Sequence, residues 1–132
     1  MGKPMFKIKG IPMIVRTYHQ CIKVVKPNLV FVATDDKRII NLCIKENINV
    51  VKTSNNCLTG TDRVFEVSKK INAKIYINIQ GDEPLFNPLD LKRLIKEIKK
   101  YPNEIITGYT SIEKKEDYIN VNIPKVVISE NG

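Results

Sequence analysis

Segments with a strand pattern alternate with segments of helical spacing along most of this 132-residue chain. The order of these segments predicts an α/β fold with a mostly parallel sheet and helices on both of its faces. The length suffices for one core, and we expect a single domain over residues 1–132. The predicted strands are residues 28–33, 48–52, 74–79, 105–109 and 123–129, and the predicted helices are residues 13–25, 39–44, 61–71, 89–100 and 115–119.

Composition excludes several classes of protein. The net charge of +8 comes mostly from lysines spread along the chain, and only four arginines occur. This pattern disfavours a nucleic-acid-binding domain and fits a solvated surface with a modest attraction for polyphosphates. No apolar stretch spans a bilayer and no signal peptide is recognisable, so we expect a cytoplasmic protein without a membrane partner. Three cysteines without CxxC spacing indicate neither a disulfide framework nor a zinc site.

The segment at residues 75–84, Ile-Tyr-Ile-Asn-Ile-Gln-Gly-Asp-Glu-Pro, has the strongest chemical pattern. A buried strand is predicted to end at Gln80, and a glycine, two carboxylates and a proline follow it. Parallel sheets place their chemistry at the carboxyl ends of strands. Asp82 and Glu83 at such an end are suited to holding a hard metal ion against phosphate oxygens, although an ordinary solvated turn has the same shape.

Three weaker clusters precede this segment. Gly-Lys-Pro at residues 2–4 offers a lysine to a phosphate or is simply a terminal segment. The aspartates at positions 35 and 36 follow a predicted strand and are interpreted as caps of the next helix. Thr-Gly-Thr-Asp-Arg at residues 59–63 leads into a helix whose free N–H groups suit an anionic ligand. Alternatively, Thr59 or Thr61 caps that helix, with Asp62 and Arg63 on its surface.

Taken together, these clusters resemble the 3-deoxy-manno-octulosonate (Kdo) cytidylyltransferases, also called CMP-Kdo synthetases. The combination of Gly-Thr-Asp-Arg with Asn-Ile-Gln-Gly-Asp-Glu-Pro at this separation is specific, and the resemblance covers essentially the whole chain. The matching segments occupy residues 2–5, 10–14, 32–36, 59–63, 78–84 and 122–127.

The resemblance implies a Rossmann-like nucleotidyltransferase sheet and an enzyme that joins CTP to Kdo, giving CMP-Kdo and pyrophosphate for lipopolysaccharide or capsule synthesis. It also implies Mg²⁺ as cofactor and a homodimeric full-length protein. By analogy, Asp82 ligates the magnesium and Lys3 contacts the triphosphate, both as catalytic residues. The nucleotide pocket is expected to include Thr59, Thr61 and Arg63, and Gln80 is expected to face the sugar.

The chain also departs from the family pattern. Family members carry a strand and an arginine-containing loop before Gly-Lys-Pro, and they continue well beyond Gly132. We therefore expect a fragment whose sheet is truncated at both ends. Cys57 stands where relatives commonly have histidine, which removes a ring donor. Two alternatives stay open: a truncated, catalytically inactive remnant, and a relative that activates another acidic sugar.

Overall fold

The computed structural model describes residues 2–128. Near its start, a short 3-10 turn at Lys3–Met5 leads into a hairpin of strands β1 (Lys7–Ile8) and β2 (Ile11–Pro12). Lys9 and Gly10 connect the two strands with φ angles of 48° and 79°. These positive φ angles are typical of a two-residue hairpin turn, because they match the twist of the flanking strands. The hairpin was not predicted from the sequence.

The central feature is a pair of parallel strands, β3 (Val32–Thr34) and β4 (Val50–Lys52). Helix α2 (Lys37–Lys45) connects them and contacts both. The Asp36 side chain caps α2 by accepting a 2.8 Å hydrogen bond from the backbone N–H of Arg38. This strand–helix–strand unit confirms the predicted α/β class with parallel pairing, and Asp36 confirms the capping interpretation.

The other predicted helices are also present. They are α1 (Met13–Cys21), α3 (Gly60–Ser68), α4 (Pro88–Ile98) and α5 (Lys115–Ile119). Three of them (α1, α3 and α4) end two to four residues earlier than predicted, α3 and α4 begin one residue earlier, and α5 has the predicted bounds. Pro88 occupies the first turn of α4, where its fixed φ suits a helix start, and Asn87 caps the helix. Helix α1 ends at Cys21, and beyond it the backbone N–H groups of Lys23 and Val24 bond carbonyls three residues back, the tighter turn that is common at helix ends.

The core is formed by helices α1 and α2 with the parallel strands. Its buried residues are Ile14, Val15, Val32, Ile39, Cys43 and Ile48. Cys43 is fully buried and Cys21 is nearly so, which confirms both as small core residues. Burial raises the pKa of each of these thiols to about 11. His19 is exposed on α1, as expected for a residue without a role in the core.

Three predicted strands are wrong. Residues 74–79, 105–109 and 123–128 form neither helix nor strand, and Ser129 lies outside the described residues. A strand requires a neighbouring backbone that completes its ladder of hydrogen bonds, and these segments have none among residues 2–128. Most of their apolar side chains are correspondingly exposed, with Ile105 at 98%. Within the described part of the chain, no helix is long and apolar enough to cross a membrane.

Candidate functional site

An arginine joins helix α3 to the carboxyl ends of both parallel strands. The guanidinium Nη1 of Arg63 lies 2.8 Å from a carboxylate oxygen of Asp35, which follows β3. The same nitrogen donates a hydrogen bond to the hydroxyl of Thr53, which follows β4. Thr53 is buried, and its backbone N–H bonds the carbonyl of Thr34 across the strand ends. Arg63 is therefore held at the edge where parallel sheets bind ligands, rather than lying free on the helix surface.

The start of α3 is fixed by a reciprocal capping box. The Thr59 hydroxyl accepts from the backbone N–H of Asp62, and the Asp62 carboxylate accepts from the backbone N–H of Thr59 at 2.8 Å. The Thr59 hydroxyl also donates to the Asp62 carboxylate at 2.8 Å, and this bond, followed by that from the Thr59 backbone N–H, lowers the pKa of Asp62. Of the two threonines that the sequence left open as caps, Thr59 fills the role and Thr61 stays exposed within the first turn.

Gly60, the first residue of α3, lies against the segment that carries Gln80. A Cβ atom on Gly60 would lie 3.2 Å from the amide nitrogen of Asn78 and 3.3 Å from that of Gln80. Both amide side chains belong to exposed residues. The Thr-Gly-Thr-Asp-Arg and Gln-Gly-Asp-Glu-Pro motifs are therefore direct neighbours in space, although they are about twenty residues apart along the chain.

The turn at Gly81 packs against helix α1 and the amino-terminal segment. A Cβ on Gly81 would come within 2.7 Å of Ile14 Cδ1 and 3.9 Å of the Pro4 ring, so a side chain at this position would require the end of Ile14 to shift. The buried hydroxyl of Thr17 donates a 3.2 Å hydrogen bond to the Gly81 carbonyl. Gln20, one turn further along α1, donates to the carbonyl of Phe86 at 3.2 Å.

These contacts link all four sequence clusters into one continuous surface. Asp35 contacts Arg63, Gly60 adjoins Gln80, and Gly81 packs on Pro4. Lys3 and Asp82 are the exposed neighbours of the Pro4–Gly81 contact. The structure thus brings together the residues that the sequence nominated: Lys3, Thr59, Thr61, Arg63, Gln80 and Asp82. Their chemical roles remain predictions.

The carboxylates at Asp82 and Glu83 are suited to supplying part of the ligands of a magnesium ion. Among residues 2–128, no group of three or more histidine, cysteine, aspartate or glutamate side chains is placed to hold a metal ion. Magnesium commonly uses one or two carboxylates together with water and substrate phosphates. The exposed carboxylates of Asp82 and Glu83 meet that lesser requirement.

Sequence reasoning missed Glu66, which anchors the loop before α3. Its carboxylate accepts a 2.7 Å hydrogen bond from the backbone N–H of Ser54 and a 2.8 Å bond from Lys70, and Cys57 Sγ lies 3.4 Å away. The bond from Lys70 and then that from Ser54 lower the pKa of Glu66 to about 2. Burial and the neighbouring Glu66 raise the pKa of Cys57. The four-residue spacing of Glu66 and Lys70 indicates a helical ion pair from the sequence alone, whereas nothing in the sequence indicates the contact of Glu66 with Ser54.

The anchors on α1 were also missed. Thr17 and Gln20 hold the loop of residues 81–86 from a helix to which the sequence analysis gave no role in the site. The available signal was a pair of uncharged polar residues, three apart, on one face of the predicted helix. Such a pair indicates a buried hydrogen-bonding role but does not identify its partner, which lies more than sixty residues away.

Comparison with known proteins gives a consistent result. The family model described as cytidylyltransferase matches residues 1–132. The mitochondrial 3-deoxy-manno-octulosonate cytidylyltransferase of Arabidopsis thaliana is 35% identical over 99% of this chain and 46% of its own length. The enzyme of the same name from Escherichia coli is 40% identical over 76% of this chain and 41% of its own.

A solved structure is similar as well. The CMP:2-keto-3-deoxy-manno-octonic acid synthetase complexed with CTP matches with a TM-score of 0.73 and 39% sequence identity. The match covers 77% of this chain and 42% of that one. The chain thus spans about half the length of the curated relatives it matches.

Proposed function

Because this chain belongs to the cytidylyltransferase family, we propose that it contributes to the transfer of a cytidylyl group from CTP to 3-deoxy-manno-octulosonate. In this reaction the anomeric hydroxyl oxygen of the sugar forms a bond to the α-phosphorus of CTP. The bond from that phosphorus to the pyrophosphate bridging oxygen breaks, pyrophosphate leaves with the electron pair, and the hydroxyl loses its proton. The products are CMP-Kdo and pyrophosphate.

The observation that carries this proposal is the series of contacts that links the four clusters. Reactions at phosphorus depend chiefly on positioning and on neutralising charge. One surface connects the three contacts Asp35–Arg63, Gly60–Gln80 and Gly81–Pro4. It supplies a cation, helix N–H groups, amides and carboxylates. That set of groups matches a nucleotide triphosphate beside an oxygen-rich acid.

Each predicted residue has a role that suits its place. Arg63 and the first turn of α3, with Thr59 and Thr61, bind the nucleotide, because guanidinium and helix N–H groups favour anions. Lys3 places its ammonium group against the triphosphate. Gln80 donates and accepts hydrogen bonds with the hydroxyl and carboxylate oxygens of the sugar.

Asp82 would hold the magnesium ion, with Glu83 beside it. When bound, magnesium supplies positive charge that offsets the repulsion between the triphosphate and an incoming oxygen nucleophile. The turn at Gly81 is held by Thr17 and by its packing on Ile14, so the Asp82 carboxylate is presented from a supported backbone.

The deciding experiment measures pyrophosphate release by this chain with CTP, magnesium and Kdo. We expect release that falls by about a hundred-fold or more in Asp82→Asn, because a lost magnesium carboxylate removes several kcal/mol of charge stabilisation. Asp90→Asn is the matched control, since Asp90 is an exposed aspartate on α4 paired only with Arg93. Absence of release by the unsubstituted chain would contradict the activity and favour the inactive alternative.

A panel of acidic sugars in the same assay tests the substrate. We expect Kdo to be used in preference to sialic-acid-like sugars, and preference for another acid would overturn that choice. The lipopolysaccharide or capsule pathway, a homodimeric full-length protein and a cytoplasmic location belong to the same proposal. They follow from the family resemblance and the sequence pattern.

A further inference from the structure

We propose that Gly60 is a positioning residue whose missing side chain sets the place of the Asn78 and Gln80 amides in the sugar site. The inference rests on the proposed function, because Gln80 is assigned there to the sugar. It adds Asn78 as a second amide of that site and Gly60 as the residue that places both.

The backbone at Gly60 does not call for glycine. Of the described glycines, Gly10 alone has a positive φ, so Gly60 has a conformation open to any residue. Gly60 is moreover the first residue of α3, directly after the Thr59 cap. Alanine is a better helix former than glycine, and therefore local stability alone favours alanine at this position.

What position 60 does constrain is its neighbours. A Cβ there would lie 3.2 Å from the Asn78 amide and 3.3 Å from the Gln80 amide, tighter than ordinary van der Waals contact. Both amides would have to shift by a few tenths of an ångström. Glycine at this position therefore lets two amide groups, two residues apart, lie side by side against the start of α3.

The consequence for binding is selective. A displaced amide pair would weaken hydrogen bonds to the sugar, since positioning errors near a reacting group lower rates steeply. The Thr59–Asp62 capping box and the Arg63–Asp35 pair do not involve position 60 and would persist. Nucleotide binding by α3 is therefore expected to change less than sugar binding.

The test compares Gly60→Ala with Gly108→Ala in the whole chain. Gly108 is a matched control, because a Cβ there meets nothing within 4 Å. In Gly60→Ala we expect shifted NMR resonances of the Asn78 and Gln80 side-chain amides, an unchanged or raised melting temperature, and a KM for Kdo raised about ten-fold. We expect the Kd for CTP to change less than two-fold, and Gly108→Ala to change none of these quantities.

Unshifted amide resonances in a folded Gly60→Ala variant would overturn the proposal, and so would equal losses in sugar and nucleotide affinity. If Gly60→Ala fails to fold, the double variant with Asn78→Ala decides. Restored folding shows that the contact with the amide is what excludes a side chain, and continued failure refutes the inference. Lack of turnover by the unsubstituted chain refutes the proposed function instead, while the NMR comparison still tests the geometry at Gly60.

Discussion

The first part of the chain, up to about residue 72, and the part that follows it have similar apolar patterns but bury them very differently. The buried residues of the core cluster, on α1, β3 and α2 and just before β4, all lie before residue 49. In the described residues after that point, Leu91 is the only buried apolar side chain. Val121 and Val127 are each 94% exposed. In β3 and β4 a parallel neighbour and a covering helix bury the β-branched run wholly or partly, whereas the strand-like runs after residue 72 have no strand partner among residues 2–128.

The largest expected effect separates two isoleucines. Ile39 on α2 is 7% exposed and Ile105 is 98% exposed. We expect Ile39→Ala to lower the free energy of unfolding by about 2–5 kcal/mol, because a buried side chain leaves a cavity, and Ile105→Ala by less than about 0.5 kcal/mol. Urea unfolding of both variants measures the difference. A comparable loss for Ile105→Ala would show that the later part buries its apolar residues in solution.

The second prediction compares two arginines. Arg63 bridges Asp35 and Thr53 at the strand ends, whereas Arg93 pairs with Asp90 on the surface of α4. We expect Arg63→Lys to cost about 1–2 kcal/mol of unfolding free energy, because the shorter lysine side chain does not bring its ammonium to the Nη1 position from which Arg63 contacts both partners. We expect Arg93→Lys to cost less than about 0.5 kcal/mol. Equal costs would mean that the strand-end junction is no more rigid than a surface pair.

These contrasts show what the sequence was able to predict. Helices α1 to α5 and the pair β3–β4 follow from local periodicity and capping residues, which are properties of neighbouring positions. The strand at residues 74–79 was predicted wrongly, because pairing depends on a distant backbone that local periodicity does not report. Strands are for this reason less readable than helices from one sequence.

The candidate site divides in the same way. Residue types in the motifs identified Arg63, Gln80 and Asp82, since their chemistry is visible in the sequence. Their placement depends on Thr17, Thr53 and Glu66, which act through contacts across ten or more residues and carry no local pattern. The family resemblance supplied the order of the motifs. The structure supplied the contacts that join them.

The third prediction distinguishes two threonines of one helix start. Thr59 caps α3 through the reciprocal box with Asp62, and Thr61 lies exposed in the first turn. We expect Thr59→Ala to lower the free energy of unfolding by about 1 kcal/mol and Thr61→Ala by less than about 0.5 kcal/mol. Circular dichroism during urea unfolding measures both. A larger loss for Thr61→Ala would show that Thr61, and not Thr59, caps α3.

The smallest effect concerns acid. The carboxylates of Asp36 and Glu66, both in the first part of the chain, have pKa values lowered to about 2, Asp36 by hydrogen bonds from Arg38 and Glu66 by those from Lys70 and Ser54. A lowered folded-state pKa contributes stability that is complete above the unfolded-state value and is lost as pH falls towards the folded one. For Glu66 that window runs from pH 4.5 down to about 2. Both groups reach solvent, which screens these interactions, so the loss should be small.

Hydrogen exchange of the Ser54 amide reports this loss locally, because that N–H donates directly to Glu66. We expect its protection to fall as pH decreases through the same window, after correction for the intrinsic exchange rate. In Glu66→Gln the protection of the Ser54 amide should be lower at neutral pH. It should also be nearly independent of pH, because the glutamine side chain cannot ionise. Glu97→Gln is the control, since Glu97 on α4 pairs with Lys100 just beyond the helix and its replacement should leave the Ser54 amide unchanged. A pH profile that persists in Glu66→Gln would assign the acid sensitivity of the first part to another carboxylate.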